Sequence, residues 1–94
     1  MRRISVFGAT GSIGESTYDL LMRQGGSARF HTVALSGGRN VARLAAQARD
    51  LRAELAVTAY DDCLPALRAA LAGSGVEAAA GPQALIEAAD RPAD

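Results

Sequence analysis

The stretch Gly8-Ala9-Thr10-Gly11-Ser12-Ile13-Gly14 decides the fold, because an apolar segment leads into it and an amphipathic pattern leads out. Ile4, Val6 and Phe7 supply a first strand, with no charge between Ile4 and Phe7. Beyond the glycines, Ile13, Thr17, Leu20 and Leu21 recur at i, i+4, i+7 and i+8, the spacing of the buried stripe of a helix. Each glycine answers its own steric demand. Gly8 turns the chain sharply out of the strand, Gly11 removes a Cβ so that backbone amides can approach a pyrophosphate, and Gly14 lets the helix pack closely on the sheet. A helix start also presents unpaired N–H groups and a partial positive charge to an anion. A dinucleotide is therefore expected at this turn, with Thr10 and Ser12 adding hydroxyl donors and Ser12 also placed to cap the helix. The plainer reading, glycines serving only a tight strand-to-helix turn, needs no ligand.

Working outward, Gln24-Gly25-Gly26-Ser27 reads as a loop, and Phe30 with Thr32 to Leu35 as a second strand. Ser36-Gly37-Gly38-Arg39-Asn40 is a second glycine-rich turn, and Val41, Leu44, Ala45, Ala48 and Leu51 mark a second helix. Leu55 to Thr58 is a third strand. Asp61 or Asp62 is placed to cap a third helix, which tolerates Pro65 in its first turn and turns Leu64, Leu67, Ala70 and Leu71 to the sheet. Gly73-Ser74-Gly75 ends it, Val76 to Ala79 suits a short fourth strand, and Pro82 opens a last helix through about Ala89. Strands alternating with helices over short loops imply parallel pairing and right-handed crossovers. The expected fold is α/β, a partial Rossmann-like doubly wound parallel sheet of three to four strands with flanking helices, the first three ordered 3-2-1. A fourth strand beside the third would leave the first as an exposed apolar edge. Ligands in such sheets bind beyond the carboxyl ends of the strands, so the two glycine turns are expected to share one cleft.

The second turn selects the cofactor. A site for NAD usually places an Asp or Glu at the end of the second strand to bind the ribose hydroxyls. Here Leu35 is followed by Ser36, two glycines, Arg39 and Asn40, with no carboxylate. A guanidinium binds a ribose 2′-phosphate through paired, charge-assisted hydrogen bonds, and a cation is otherwise misplaced at a helix start. NADP is therefore favoured over NAD, against the alternative that Arg39 merely solubilises the surface.

Composition removes other classes. Ten basic and ten acidic residues balance to zero over 94 residues, and aromatics make up 4%, which speaks against nucleic-acid binding. No apolar run has the length to cross a bilayer, and glycines interrupt any signal-like segment behind Arg2 and Arg3, so a cytoplasmic protein without a membrane partner is expected. The one cysteine, Cys63, rules out an internal disulfide and a cysteine-cluster metal site, and the one histidine, His31, supports neither a metal centre nor a charge relay. Both read as ordinary structural positions, and no catalytic or metal-ligating residue is assigned.

Thr10-Gly11-Ser12-Ile13-Gly14-Glu15-Ser16-Thr17-Tyr18-Asp19 resembles the opening signature of the 1-deoxy-D-xylulose 5-phosphate reductoisomerases. Ser36 to Val41 falls at that family's second cofactor turn, and Ala53 to Val57 and Gly81 to Leu85 also look like its N-terminal domain. The doubled glycine, Gly37-Gly38, departs from the commoner pattern. The resemblance implies that residues 1–94 form the N-terminal part of an NADPH-binding domain, with Gly8, Thr10, Gly11, Ser12, Ile13 and Gly14 at the NADPH phosphates and Gly37, Gly38, Arg39 and Asn40 at the 2′-phosphate end. It further implies an enzyme that rearranges 1-deoxy-D-xylulose 5-phosphate and reduces it to 2-C-methyl-D-erythritol 4-phosphate on the non-mevalonate route to isoprenoids. In that family the enzyme is a homodimer, uses Mg²⁺ or Mn²⁺, and carries its metal carboxylates, lid and C-terminal domain later in the chain, so residues 1–94 alone are expected to be inactive. Two other readings stand beside it. An extended short-chain dehydrogenase or epimerase would need a Tyr-x-x-x-Lys pair, and neither Tyr18 nor Tyr60 has one in a chain without lysine. A non-catalytic dinucleotide-binding fragment or sensor would need only the glycine turns.

Overall fold

A computed structural model describes residues 1–93; Asp94 lies outside the described residues. Four strands and four helices alternate: β1 (Arg2–Val6), α1 (Ser12–Arg23), β2 (Phe30–Gly37), α2 (Val41–Leu51), β3 (Leu55–Thr58), α3 (Leu64–Ala70), β4 (Glu77–Ala80) and α4 (Pro82–Asp90). Short 3-10 turns precede β2 (Gly26–Ala28) and α3 (Asp61–Cys63). The sheet runs in the order β1-β2-β3-β4, every pair parallel. The first three strands are thus ordered as their sequence implies, β4 pairs on the far side of β3, and β1 forms the edge. Phe7, expected within the first strand, lies just beyond it and is half exposed, because the chain already turns at Gly8 with φ +76°.

Alternation along the strands divides the core between the two faces. Leu35 and Ala56 pack with Leu44, Ala48 and Leu51 of α2, Leu67 of α3, and Leu21 of α1. Their neighbours Ala34, Leu55 and Val57 pack with Ala88 of α4. Helices α1, α2 and α3 therefore cover one face and α4 lies on the other. Right-handed crossovers between successive strands of one direction put every connecting helix on the same side, and α4 is where the winding changes face.

The first helix is turned about its axis from its expected setting. Gly14 and Leu21 are buried and Tyr18 is half-buried, whereas Ile13 is 83% exposed and Leu20 52% exposed. Closest approach explains this: a Cβ on Gly14 would stand 2.0 Å from the Gly8 carbonyl oxygen and 2.5 Å from the Ala9 Cα. The side of the helix that has no side chain at its first turn is the side that reaches the backbone of the turn. The remaining contacts follow from Gly14, and the stripe through Ile13 and Leu20 is carried away from the core.

Candidate functional site

The carboxyl ends of β1, β2 and β3 open onto three loops, and side chains tie these loops together. The Gly8 N–H donates to Ser36 Oγ at 2.9 Å, and the Ala9 N–H donates to the Ser36 carbonyl at 2.7 Å. Gln47, fully buried on α2, donates its amide to the Ala9 carbonyl at 2.9 Å. A Cβ on Gly37 would meet Thr10 Oγ1 at 3.2 Å and Leu44 at 3.3 Å, so the first turn rests directly on the second. Thr58 Oγ1 donates to the Gly38 carbonyl at 2.9 Å and accepts from the Tyr60 N–H at 3.3 Å, which fastens the third loop to the second. The two glycine turns thus share one rim, as their positions at strand ends require.

The start of α1 is left without a side-chain cap. Its N-cap is Gly11, with φ −77° and ψ 173°, and no side chain bonds the first-turn amides. Ser12, expected as the cap, is instead the first helical residue, and its carbonyl accepts from the Ser16 hydroxyl at 3.2 Å. The first-turn N–H groups have no intrahelical acceptor and face outward with the positive end of the helix dipole. This set of donors fits a pyrophosphate. A Cβ on Gly11 would find only the Gly8 carbonyl, at 3.4 Å, so it is space outside the protein that a side chain there would fill.

At the second turn, Asn40 caps α2 by accepting from the Arg43 N–H at 3.3 Å. That bond settles its local role and leaves Arg39 as the exposed cation of the turn. Arg39 is not isolated: its guanidinium lies 4.0 Å from the centre of the Tyr60 ring and donates to Asp62 Oδ2 at 3.1 Å. The expectation that Asp61 or Asp62 caps the third helix fails. The chain enters a 3-10 turn there, with Tyr60 at its cap position and no side-chain cap, and α3 follows with Cys63 at its own N-cap. Sequence reasoning missed Tyr60 and Asp62 as neighbours of Arg39. The available signal was their place directly after β3, whose carboxyl end opens on the same rim.

Behind the rim, Glu15 on α1 takes a two-pronged pair from Arg43 on α2, with both bonds at 2.7 Å, and the Arg43 guanidinium also lies 4.8 Å from the Tyr18 ring centre. The Tyr18 hydroxyl donates to Asp50. The hydrogen bonds from Arg43 hold the Glu15 carboxyl below its ordinary value of 4.5, although partial burial works the other way. A carboxyl depressed in the folded state contributes stability above its unfolded pKa, and that contribution is lost as pH falls through the lowered folded value. Urea unfolding across the acid range should therefore show stability falling below pH 4.5, with part of the fall missing in Glu15→Gln. Identical pH slopes for the two proteins would remove the pair from the account.

His31 pairs with Glu54 near the surface, and Cys63 is a half-buried free thiol. Among the described residues no group of three His, Cys, Asp or Glu comes together to hold a metal ion, so the divalent metal of the resemblance has no ligand set there. A hollow of about 380 Å³ lies at the opposite, amino end of the strands, against Arg49 and Ser74–Val76. Arg49 spends its guanidinium there on the Ala70 and Ala72 carbonyls at the end of α3. Among the described residues no helix is long and apolar enough to cross a membrane.

Comparison with known proteins agrees with this geometry. The family model for 1-deoxy-D-xylulose 5-phosphate reductoisomerase matches residues 4–94. A reductoisomerase of that name from Cereibacter sphaeroides is 73% identical over all 94 residues, and one from Paracoccus denitrificans is also 73% identical. The chain spans 24% of the length of each of these relatives. Among solved structures, the Zymomonas mobilis reductoisomerase in complex with NADPH superposes with a TM-score of 0.93 at 49% identity, over 98% of this chain and 24% of its own. A DOX-P reductoisomerase in complex with NADPH, fosmidomycin and magnesium gives a TM-score of 0.88 at 30% identity, over all of this chain and 23% of its own. Family model, sequence relatives and solved structures coincide over nearly the whole of the chain, which belongs to the 1-deoxy-D-xylulose 5-phosphate reductoisomerase family.

Proposed function

We propose that residues 1–94 are the NADPH-binding segment of a reductoisomerase that converts 1-deoxy-D-xylulose 5-phosphate to 2-C-methyl-D-erythritol 4-phosphate, in the non-mevalonate route to isoprenoids. One observation carries this reading. The uncapped start of α1 and the Arg39 guanidinium stand on one rim, joined through Ser36 and through the contact of Thr10 with Gly37. A dinucleotide with an extra phosphate on its adenosine ribose presents anions at two places, and this rim answers with amides at one and a cation at the other. Gly8 and Gly14 shape the turn, and the Gly11 N–H is held by the Gly8 carbonyl at 3.1 Å. The amides of Ser12 and Ile13 and the hydroxyl of Thr10 are the groups assigned to the pyrophosphate, with Gly11 leaving the space in front of them open. Gly37 and Gly38 bring the second turn close, Arg39 binds the 2′-phosphate, and Asn40 holds the start of α2 beside it. The bound coenzyme supplies the hydride for the reduction. This segment's residues supply binding and orientation, and the metal and sugar-phosphate contacts belong to the rest of the enzyme. That whole enzyme is proposed to be a cytoplasmic homodimer with a small-molecule substrate and no nucleic-acid or membrane partner.

Arg39→Ala tests the reading. Loss of charge-assisted hydrogen bonds to the 2′-phosphate should weaken NADPH by roughly 1.5–3 kcal/mol, about 10- to 150-fold, and leave NADH almost unchanged. Titration calorimetry with both coenzymes measures this. Equal losses for the two would show that the side chain does not read the extra phosphate.

A further inference from the structure

The end of β2 carries no carboxylate, yet the fold delivers one to the same place from the next loop. Asp62 reaches Arg39 from the 3-10 turn after β3, and Tyr60, two residues earlier, lies under the guanidinium. Both groups are fixed by contacts of their own. The Tyr60 ring packs on Gly38, where an added Cβ would stand 3.6 Å from the ring edge, and the Tyr60 N–H is held by Thr58 Oγ1. The Cys63 N–H donates to the Tyr60 carbonyl at 3.0 Å, closing the turn that carries Asp62. The Arg39–Asp62 pair itself is exposed, its side chains 62% and 71% accessible. A pair so exposed contributes little to stability, so its place at the rim calls for an explanation beyond holding the fold.

Resting on the assignment of Arg39 to the 2′-phosphate, we propose that Tyr60 and Asp62 set the coenzyme selectivity of this site from opposite directions. Tyr60 is a positioning residue: its ring face holds the guanidinium plane over the second turn, which limits the rotamer freedom that phosphate binding would otherwise have to remove. Asp62 opposes the phosphate. It occupies one guanidinium N–H donor that a 2′-phosphate would use, and its negative charge remains near that phosphate once displaced. A coenzyme with a plain ribose brings no second anion to the position and leaves the pair intact. Asp62 therefore narrows the preference for NADPH over NADH that Arg39 creates, and the selectivity of the site is the difference of the two effects.

Calorimetric titration of the chain with NADPH, NADH, 2′,5′-ADP and 5′-ADP tests the proposal. Asp62→Asn should tighten NADPH and 2′,5′-ADP by about threefold to tenfold, leaving NADH and 5′-ADP within about twofold. Tyr60→Ala should weaken the two 2′-phosphorylated ligands by about threefold to fivefold, and Tyr60→Phe, which keeps the ring, should restore them. Unchanged or weakened NADPH binding by Asp62→Asn, or an equal gain for all four ligands, overturns the role of Asp62. A Tyr60→Phe protein as weak as Tyr60→Ala overturns the role of the ring. Arg39→Ala in the same series separates the two levels. Selective loss of the 2′-phosphorylated ligands with a silent Asp62→Asn defeats this inference alone. Loss without selectivity, or no heat with either coenzyme on the folded chain, defeats the assignment of Arg39 and this inference with it.

Discussion

Gly14→Ala should cost about 3 kcal/mol or more of folding stability, read as a drop in the urea midpoint or in Tm. The added methyl would stand 2.0 Å from the Gly8 carbonyl oxygen and 2.6 Å from the Ala9 carbonyl carbon, all of it backbone that no rotamer change can move aside. Relief requires the first turn of α1 to lift away from the strand-to-helix turn. That motion would strain the bond from the Gly8 N–H to Ser36 Oγ and the packing of Ala9, which is 1% exposed. A domain of this size has a total stability of about 5–15 kcal/mol, so the loss is a large share of the whole. On the scale of about 4–8 °C per kcal/mol for a domain of this length, Tm should fall by about 12 °C or more. A loss below about 1 kcal/mol would mean that the approach of α1 to the turn is not fixed at Gly14.

Gly11→Val should have the opposite signature, with stability close to the parent and binding of both NADPH and NADH lost by more than about 100-fold. The backbone at Gly11 is extended, at φ −77° and ψ 173°, a conformation that valine adopts readily. Inside the protein a Cβ would meet only the Gly8 carbonyl, at the ordinary distance of 3.4 Å. The branched side chain would instead occupy the space in front of the first-turn amides. Two charge-assisted bonds to a pyrophosphate, each worth roughly 1.5–3 kcal/mol, account for a loss of that size. Calorimetry with thermal melts on the same preparation separates binding from folding. Parent-like affinity in a folded Gly11→Val protein would remove the pyrophosphate from this turn. The two glycines are three residues apart in one motif, and the two experiments assign them to different duties.

Much of this was legible in the chain. The element sequence, the parallel pairing, the order of the first three strands and the extent of Leu55–Thr58 follow from periodicity and turn chemistry. The second helix buries Leu44, Ala45, Ala48 and Leu51, four of the five residues its spacing marks. The first helix does not follow its spacing, because hydropathy gives no signal at a glycine, and Gly14 governs the contact through the side chain it lacks. Periodicity proposed Ile13, Thr17, Leu20 and Leu21, of which only Leu21 is buried; the turn added Gly14 and Tyr18 to the packed side and left Ile13 and Leu20 outside. The third helix start misled for a related reason. Aspartates before a proline-containing helix suit a cap, but here a 3-10 turn intervenes and aims Asp62 across to Arg39 instead.

The amino-acid sequence by itself determined the alternation of strand and helix, the placing of both glycine turns at strand ends, and the family signature from Thr10 to Asp19. Each is written in neighbouring residues, because backbone conformation, turn geometry and the 3.6-residue period are set over a few positions of chain. Only the tertiary structure decided the rotation of α1, the edge position of β1, the bracing of Glu15 by Arg43, and the company of Tyr60 and Asp62 around Arg39. Those partners stand 21 to 28 residues apart and meet because parallel pairing stacks the carboxyl ends of successive strands side by side. The register of the sheet and the closest approach of two backbones are properties of the assembled fold, and no local pattern encodes them.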